Sequence, residues 1–183
     1  VTPIVMRERY GVGRHSADTL VLGVAGRPIG HSLSPVLHNA ALRARGIDGV
    51  YVPLEARDID DLLSFADHLG VRGLSVTAPF KLDALARSAS AEPVAERVGA
   101  ANTLTRTPGG WVAGNTDVEG FLLPLRSRVP LRGARVAVLG AGGAARAVAE
   151  VGGLAVHARQ AGLFLPALGP VIAHRPAAIT GRD

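Results

Sequence analysis

The lysine content of the chain points to one candidate for proton transfer. Of the 20 basic residues in the 183-residue chain, 19 are arginines and one, Lys81, is a lysine. Arginine stays protonated in proteins, whereas lysine can give up its proton when its surroundings favour the neutral form. Lys81 is therefore the first catalytic candidate, and an ordinary surface lysine is its alternative.

A glycine-rich turn is the second feature with chemical meaning. The apolar run 135–139 leads directly into Gly140-Ala141-Gly142-Gly143-Ala144-Ala145, and a helical run follows. This G-x-G-x-x-A pattern between a strand and a helix lets the backbone approach a pyrophosphate at the helix N-terminus. The predicted dinucleotide contacts are Gly140, Ala141, Gly142, Gly143 and Ala144. A plain strand-to-helix turn remains the alternative, because a glycine pattern is weak evidence in a chain with 23 glycines.

The same segment favours NADP over NAD. A site for NAD places an acidic residue about 20 positions after the first glycine, whereas an arginine accommodates the 2′-phosphate of NADP. Arg159 stands at that distance, and no acidic residue lies between Glu150 and Asp183. Arg159 is the predicted 2′-phosphate contact, with a solvent-facing arginine as the alternative.

Composition excludes several classes of chemistry. Without cysteine the chain has no disulfide, thiolate metal site or cysteine nucleophile, so oxidoreduction would need a bound cofactor. A net charge of +5 from singly scattered arginines favours small anionic ligands over nucleic acid. No apolar run approaches the roughly 20 residues of a membrane span, and the first 16 residues lack the apolar centre of a signal peptide. We therefore expect a cytoplasmic globular protein without a metal, nucleic-acid or membrane partner.

Alternating strand and helix signals organise the first half of the chain. Apolar runs at 20–25, 49–54 and 73–76 predict three strands. Ser34 and Pro35 offer an N-cap and a first-turn proline for a helix that ends at Gly46. A second helix is predicted over 58–69, with Ile59, Leu62, Leu63 and Ala66 on its apolar face. The βαβαβ order predicts a parallel sheet.

The remaining signals complete an α/β fold. Short helices are predicted around 82–86 and 94–98, and Pro108-Gly109-Gly110 predicts a hairpin between 101–105 and 111–113. A new unit begins near Arg132. The predicted organisation is a parallel-sheet N-terminal domain over residues 18–125, followed by a partial Rossmann-like NADP-binding unit over 132–183.

Five blocks of sequence together resemble the shikimate dehydrogenase family. In chain order they are Gly26-Arg27-Pro28-Ile29-Gly30-His31-Ser32-Leu33-Ser34-Pro35 with His38-Asn39-Ala40-Ala41, Ser75-Val76-Thr77-Ala78-Pro79-Phe80-Lys81, Gly99-Ala100-Ala101-Asn102-Thr103-Leu104, Asn115-Thr116-Asp117 ahead of Gly120-Phe121, and the glycine loop. The resemblance implies an NADP-dependent oxidoreductase that interconverts 3-dehydroshikimate and shikimate, in the biosynthesis of chorismate and aromatic amino acids. It also implies that the N-terminal domain holds the substrate.

The resemblance implies a role for each matched residue. Ser32 and Ser34 would hold the substrate carboxylate, where a helix N-terminus favours an anion. The ring hydroxyls and the reacting oxygen would be held by Thr77, Lys81, Asn102 and Asp117. Lys81 and Asp117 would form the catalytic pair, in which the ammonium protonates the alkoxide and the carboxylate orients the ammonium. Asn102 can donate and accept at once, which suits a vicinal diol.

Structural roles compete with these assignments. Ser34 could cap its helix, Asp117 could cap a helix that starts at Val118, and Asn102 could be a buried turn residue. Two positions depart from the family pattern, because Ser75 replaces a usual asparagine and Val118 a frequent glycine.

The cofactor unit is shorter than the resemblance implies. Its crossover over 141–153 is near the minimum of about a dozen residues for joining parallel strands. Only 23 residues follow Gln160, which is less than one mononucleotide-binding half. We therefore expect the 183-residue chain alone to hold NADPH poorly and to turn over slowly. A non-catalytic substrate-binding homologue and a quinate/shikimate dehydrogenase are the alternatives, and a homodimer stays open.

Overall fold

The chain forms two compact units. The computed structural model describes residues 3–128, 135–139, 142–150 and 155–159. The units are Val1–Thr116 and Asp117–Asp183. No helix in these described ranges is long and apolar enough to cross a membrane.

The first unit is a six-stranded mixed sheet with five helices among its described residues. Its elements are α1 (Pro3–Tyr10), β1 (Leu20–Ala25), α2 (Ser34–Ala44), β2 (Gly49–Leu54), α3 (Ile59–His68), β3 (Gly73–Val76), α4 (Lys81–Ala86), β4 (Ser90–Ala91), α5 (Pro93–Val98), β5 (Thr103–Thr107) and β6 (Gly110–Gly114). The strand order is β2-β1-β3-β5-β6-β4. β1 pairs in parallel with β2 and β3, and β4 with β6, whereas β5 is antiparallel to both β3 and β6.

The main sequence predictions for this unit are confirmed. The three predicted strands become β1, β2 and β3, in parallel, and the predicted helices become α2 to α5. The predicted hairpin is also present, but its antiparallel strands make the sheet mixed rather than wholly parallel. Its first strand starts at Thr103 instead of 101. The Ala101 N–H donates to the Lys81 carbonyl at 2.8 Å, so it does not take part in strand pairing.

Two elements were not predicted. Helix α1 buries none of its residues, so it lacks the apolar stripe by which a helix is recognised in sequence. Strand β4 has two residues, which align with Val112 and Ala113 of β6. A strand this short leaves no period-two pattern to detect.

Apolar clusters cover both faces of the sheet. Val24 belongs to a cluster with Ile29 and Tyr51, whereas its neighbour Ala25 belongs to the main core around Leu62 and Leu104. Successive side chains of a strand point to opposite faces, so the two clusters lie on opposite sides of β1. Burial on both faces explains why the strands read as continuous apolar runs.

Asn39 ties α2 to the edge strand β2. Its side-chain amide donates to the Tyr51 carbonyl and accepts from the Tyr51 N–H, both at 2.8 Å. Asn39 and Tyr51 are both buried. The amide therefore satisfies two backbone groups that an edge strand would otherwise leave unpaired.

The second unit contains α6 (Asp117–Arg126), β7 (Arg135–Leu139), α7 (Gly143–Ala149) and β8 (Ala155–Arg159). β7 and β8 are parallel, in a register that runs from Arg135 opposite Ala155 to Leu139 opposite Arg159. The predicted strand, helix and crossover are confirmed. The predicted domain limits at 18–125 and 132–183 remain predictions.

Candidate active site

The loops that follow β1 and β3 are joined by backbone hydrogen bonds. The Thr77 N–H donates to the Ala25 carbonyl at 2.8 Å, and the Arg27 N–H donates to the Ala78 carbonyl at 3.0 Å. Gly26 makes this contact sterically possible, since a Cβ atom there would lie 2.4 Å from Thr77 Cγ2. The first two matched blocks therefore meet at the carboxyl ends of parallel strands, where open α/β sheets bind ligands.

Ser32 and Ser34 lie together at the start of α2. The Ser32 N–H donates to the Ile29 carbonyl at 3.0 Å, and the Ser34 N–H donates to Ser32 Oγ at 3.2 Å. Both serines are half-buried. Two hydroxyls and the first-turn N–H groups of an 11-residue helix are the groups expected around a carboxylate.

The predicted capping role of Ser34 is wrong. Leu33 occupies the N-cap position without a side-chain hydrogen bond, and Ser34 is the first helical residue. The turn from Ile29 to Ser32 is the physical reason, because it brings the Ser32 hydroxyl, rather than that of Ser34, against an N–H of the incoming helix.

Lys81 is the first residue of α4 and is partly buried. The preceding turn is fixed by the Phe80 N–H, which donates to the Thr77 carbonyl at 3.0 Å, and the Phe80 side chain is buried. The Lys81 carbonyl accepts from Ala101 at 2.8 Å, which ties the second matched block to the third. A helix N-terminus disfavours a cation, so helix stability does not account for a lysine at this position.

Asn102 joins the third and fourth matched blocks. Its carbonyl accepts from Val76 at 2.7 Å, and its N–H donates to the Gly114 carbonyl at 3.1 Å. Its side-chain Oδ1 accepts from the Thr116 N–H and from the Thr103 hydroxyl, each at 2.9 Å. The first unit therefore brings Ser32, Ser34, Thr77, Lys81 and Asn102 onto segments that are connected through the backbone.

Asp117 belongs to the second unit. Helix α6 begins at Asp117 itself rather than at Val118, so Asp117 is a helical residue and not the cap of a helix starting one position later. Its side chain is partly buried. The pairing of Asp117 with Lys81 remains a prediction.

The predicted cofactor residues are only partly described. Gly142 precedes α7 in an extended conformation, Gly143 is buried as its first residue, and Ala144 is exposed. Arg159 ends β8 opposite Leu139, at the end of β7 that leads into the glycine loop. Gly140, Ala141 and the Arg159 side chain lie outside the described residues.

Sequence reasoning missed three polar residues near this site. Thr103 and Thr116 were quoted within the matched blocks, and their adjacency to Asn102 and Asp117 was the available signal. Tyr51 gave none. Burial raises the pKa of its hydroxyl, with the Ser75 side chain partly offsetting the rise, and its ring stacks on His38 with centroids 4.2 Å apart.

In the ranges that the structure describes, no group of three or more His, Cys, Asp or Glu side chains is arranged to hold a metal ion.

Residues 24–104 match the sequence profile of the shikimate dehydrogenase substrate binding domain. The NADP(+) shikimate dehydrogenase of Trichormus variabilis is 43% identical over 137 residues, which are 73% of this chain and 47% of that protein. The chain thus spans about half the length of the curated relatives it matches.

Solved structures give the same likeness. The crystal structure of shikimate dehydrogenase from Aquifex aeolicus matches with a TM-score of 0.73 and 37% identity, over 79% of this chain and 56% of that one. Shikimate 5-dehydrogenase from Thermus thermophilus, in complex with NADP(H) and shikimate, matches with a TM-score of 0.67 and 38% identity, over 76% and 55% of the two chains.

Proposed function

We propose that the chain, which matches the substrate-binding domain of the shikimate dehydrogenase family, is a member of that family and takes part in the reversible, NADP-dependent reduction of 3-dehydroshikimate to shikimate. One observation carries the proposal. Three matched blocks, which carry Ser32, Thr77 with Lys81, and Asn102, are linked by backbone hydrogen bonds within the first unit. A substrate site whose loops are bound to each other in this way needs little rearrangement to receive a ligand.

The carboxylate end of the substrate is assigned to the start of α2. Ser32 and Ser34 supply hydroxyl donors, and the helix dipole favours the negative charge. The Ser34 N–H already donates to Ser32 Oγ, so the Ser32 hydroxyl keeps its own proton for the carboxylate. Charge-assisted hydrogen bonds of this kind are roughly twice as strong as neutral ones.

The proton in the reduction is assigned to Lys81. When the ketone carbon gains a hydride, the carbonyl electron pair moves to oxygen, and the Lys81 ammonium transfers a proton to that oxygen. The reverse reaction returns the proton to the neutral amine. Asp117 is proposed to orient the ammonium and stabilise its charge.

The second unit is the proposed place for NADP(H). Its fit rests on the described backbone: β7 leads toward Gly142 and Gly143, and the parallel β8 ends at Arg159 beside it. Gly143, the first residue of α7, has no side chain, so it places no side-chain bulk at the start of the helix. When bound, the nicotinamide supplies the hydride.

A substrate-binding protein without turnover is the second candidate. The observation in its favour is that the hydrogen bonds that connect the candidate substrate residues Thr77, Lys81 and Asn102 all lie within the first unit. Such a protein would keep the pocket residues of the first unit and lose only the reaction.

Two measurements on the same preparation separate these candidates. NADPH-dependent reduction of 3-dehydroshikimate, followed at the nicotinamide absorbance, tests the enzyme, and shikimate titration by calorimetry tests binding. Turnover supports the dehydrogenase, while binding without turnover supports the second candidate. If neither is observed with folded protein, the proposed function is wrong.

A further inference from the structure

A cleft between α1 and α2 lies away from the candidate active site. This α1–α2 cleft has a volume of about 360 Å³, and its lining includes Arg7, Arg14, Arg43, Asp48 and Gly49. Strand β2 begins at Gly49 and runs parallel to β1, so its six residues separate the cleft from the carboxyl ends of the strands by about 17 Å. Pockets of about 300–1,000 Å³ hold small ligands, so the cleft is large enough for one.

The segment after α1 is folded back to form one wall of the cleft. Gly11 follows the helix with a φ of 67°, and its carbonyl accepts from the Arg14 N–H at 2.9 Å. The His15 ring donates to a carbonyl at the end of α1. Further along, the Thr19 hydroxyl lies 3.1 Å from each carboxylate oxygen of Asp48. The segment is therefore tied both to α1 and to the residue that precedes β2.

Three arginines line the cleft without a counter-ion from the protein. Arg7, Arg14 and Arg43 make no ion pair with any residue that the structure describes. Two carboxylates share the lining, but Asp48 is engaged with the loop and Glu8 pairs with none of the arginines. An arginine cannot relieve repulsion by giving up its proton, so like charges around one cleft favour an anion between them. The lining therefore matches a negatively charged ligand.

Helix α1 lacks the apolar contacts that would hold it in place. It buries none of its residues, and its apolar side chains Ile4 and Met6 are 65% and 39% exposed. Apolar burial therefore does not explain why α1 lies against α2. Arg7 comes from α1, Arg14 from the following loop and Arg43 from α2, so one anion among them would connect all three segments.

We propose that the α1–α2 cleft binds a small ligand through a phosphate group, which bridges Arg7 and Arg14 to Arg43. A guanidinium group donates in a planar fork to phosphate or carboxylate oxygens. A phosphate group offers three strong acceptor oxygens, whereas a carboxylate offers two, so phosphate suits three guanidinium groups better. The proposal does not depend on the proposed function, because the cleft shares no residue with the candidate active site.

NMR titration of the 183-residue chain with inorganic phosphate, at fixed pH and ionic strength, tests the site. The N–H resonances of Gly11 and Gly49 report on the cleft. That of Gly142 reports on the second unit, where a phosphate group is also expected. We expect Gly11 and Gly49 to follow one saturation curve. Shifts that do not saturate, or saturation at Gly142 alone, would overturn the proposal.

Two pairs of arginines provide matched variants. Arg7 and Arg43 line the cleft, whereas Arg9, on α1 as well, and Arg45, at the C-cap of α2, do not. We expect Arg7→Gln and Arg43→Gln each to weaken phosphate about tenfold or more, as for loss of a charge-assisted hydrogen bond. Arg9→Gln and Arg45→Gln should stay within about twofold of wild type. Equal weakening by all four would indicate general attraction to a positive surface and would contradict a defined site.

Two further measurements test the phosphate group and the bridge. Acetate should bind about tenfold more weakly than phosphate because it makes fewer charge-assisted hydrogen bonds, and equal affinity would contradict the choice of phosphate. Phosphate at about ten times its Kd should slow hydrogen exchange of the α1 amides about tenfold, because the cleft must empty before α1 opens. Unchanged exchange would contradict the bridge. None of these measurements uses shikimate, so failure of the proposed function would leave them intact.

Discussion

The two compact units differ in how their candidate site residues are held. In the first unit, loops distant in sequence are bound to each other through main-chain hydrogen bonds between Ala25, Thr77, Lys81 and Asn102 and their neighbours. In the second, the described candidate residues are Asp117 at the start of α6 and those of one short β-α-β segment. All the candidate substrate contacts except Asp117 therefore belong to the first unit, which implies that binding and turnover can be separated by experiment.

Replacement of Lys81 should separate substrate binding from turnover most strongly. Because positioned proton transfer contributes about 10²- to 10⁴-fold in rate, Lys81→Ala should lower kcat by a factor in that range and leave shikimate affinity nearly unchanged. Lys81→Arg should be nearly as slow, since it keeps the charge but not the labile proton.

The matched control is Arg87→Ala, which removes an exposed cation paired with Asp60 at 2.9 Å. It should leave kcat unchanged. A higher KM with unchanged kcat in Lys81→Ala would instead make Lys81 a uniform binding group.

The sequence predicted the parts of the first unit that have a local signature. Strands β1, β2 and β3 are continuous apolar runs bounded by glycine or polar residues, and α3 carries an apolar stripe with Asp58 as its cap. The matched blocks pointed to Ser32, Thr77, Lys81 and Asn102, which the fold connects through the backbone.

What the sequence could not predict depends on contacts between distant segments. Thr116 lies 14 residues from Asn102, and only the pairing of β5 with β6 brings them together. The cap of α2 depends on the turn before it, and β4 exists only through its pairing with β6.

Loss of the two hydrogen bonds between the Asn39 side chain and the Tyr51 backbone should reduce stability more than any other change considered for the first unit. Asn39→Ala leaves the buried N–H and carbonyl of Tyr51 without their partner, at a cost of about 2–4 kcal/mol for two unsatisfied groups. Shikimate binding should weaken as well, because α2 carries Ser32 and Ser34 at its start. Chemical denaturation measures the free energy of unfolding. A loss below about 0.5 kcal/mol, the scale of a surface substitution, would contradict a stabilising role for these two hydrogen bonds.

A methyl group at Gly26 tests the contact between the first two matched loops. The added Cβ would lie 2.4 Å from Thr77 Cγ2 and 3.0 Å from the Ala78 carbonyl oxygen. Overpacking of this kind costs about 1–3 kcal/mol, so Gly26→Ala should lower Tm and shikimate affinity together.

Gly30→Ala is the matched control, because no atom lies within 4 Å of a Cβ at that position. It should leave Tm nearly unchanged. Equal effects of the two variants would show that the 26–34 loop and the 77–81 loop are not in tight contact.

The smallest effect is expected at an exposed ion pair between Arg57, which precedes α3, and Asp61 in its first turn. A hydrogen bond from Arg57, at 3.2 Å, lowers the pKa of the Asp61 carboxyl below its ordinary value. A group whose pKa is lowered by folding stabilises the protein above its unfolded pKa, and the contribution is lost as pH falls through the folded pKa. NMR titration should show the pKa of Asp61 rising in Arg57→Gln but staying below its ordinary value, because the backbone N–H of residue 57 still donates to the carboxylate; shikimate binding should be unaffected, and a change in binding would contradict the assignment of the site.

Calorimetry with shikimate and with NADPH, titrated separately into the 183-residue chain, tests the central claim most directly. We predict a saturable one-site heat for shikimate in the absence of NADPH, weakened about tenfold or more in a Ser32→Ala/Ser34→Ala double variant because charge-assisted hydrogen bonds are lost. Micromolar NADPH binding by a folded chain that gives no heat with shikimate would contradict the account.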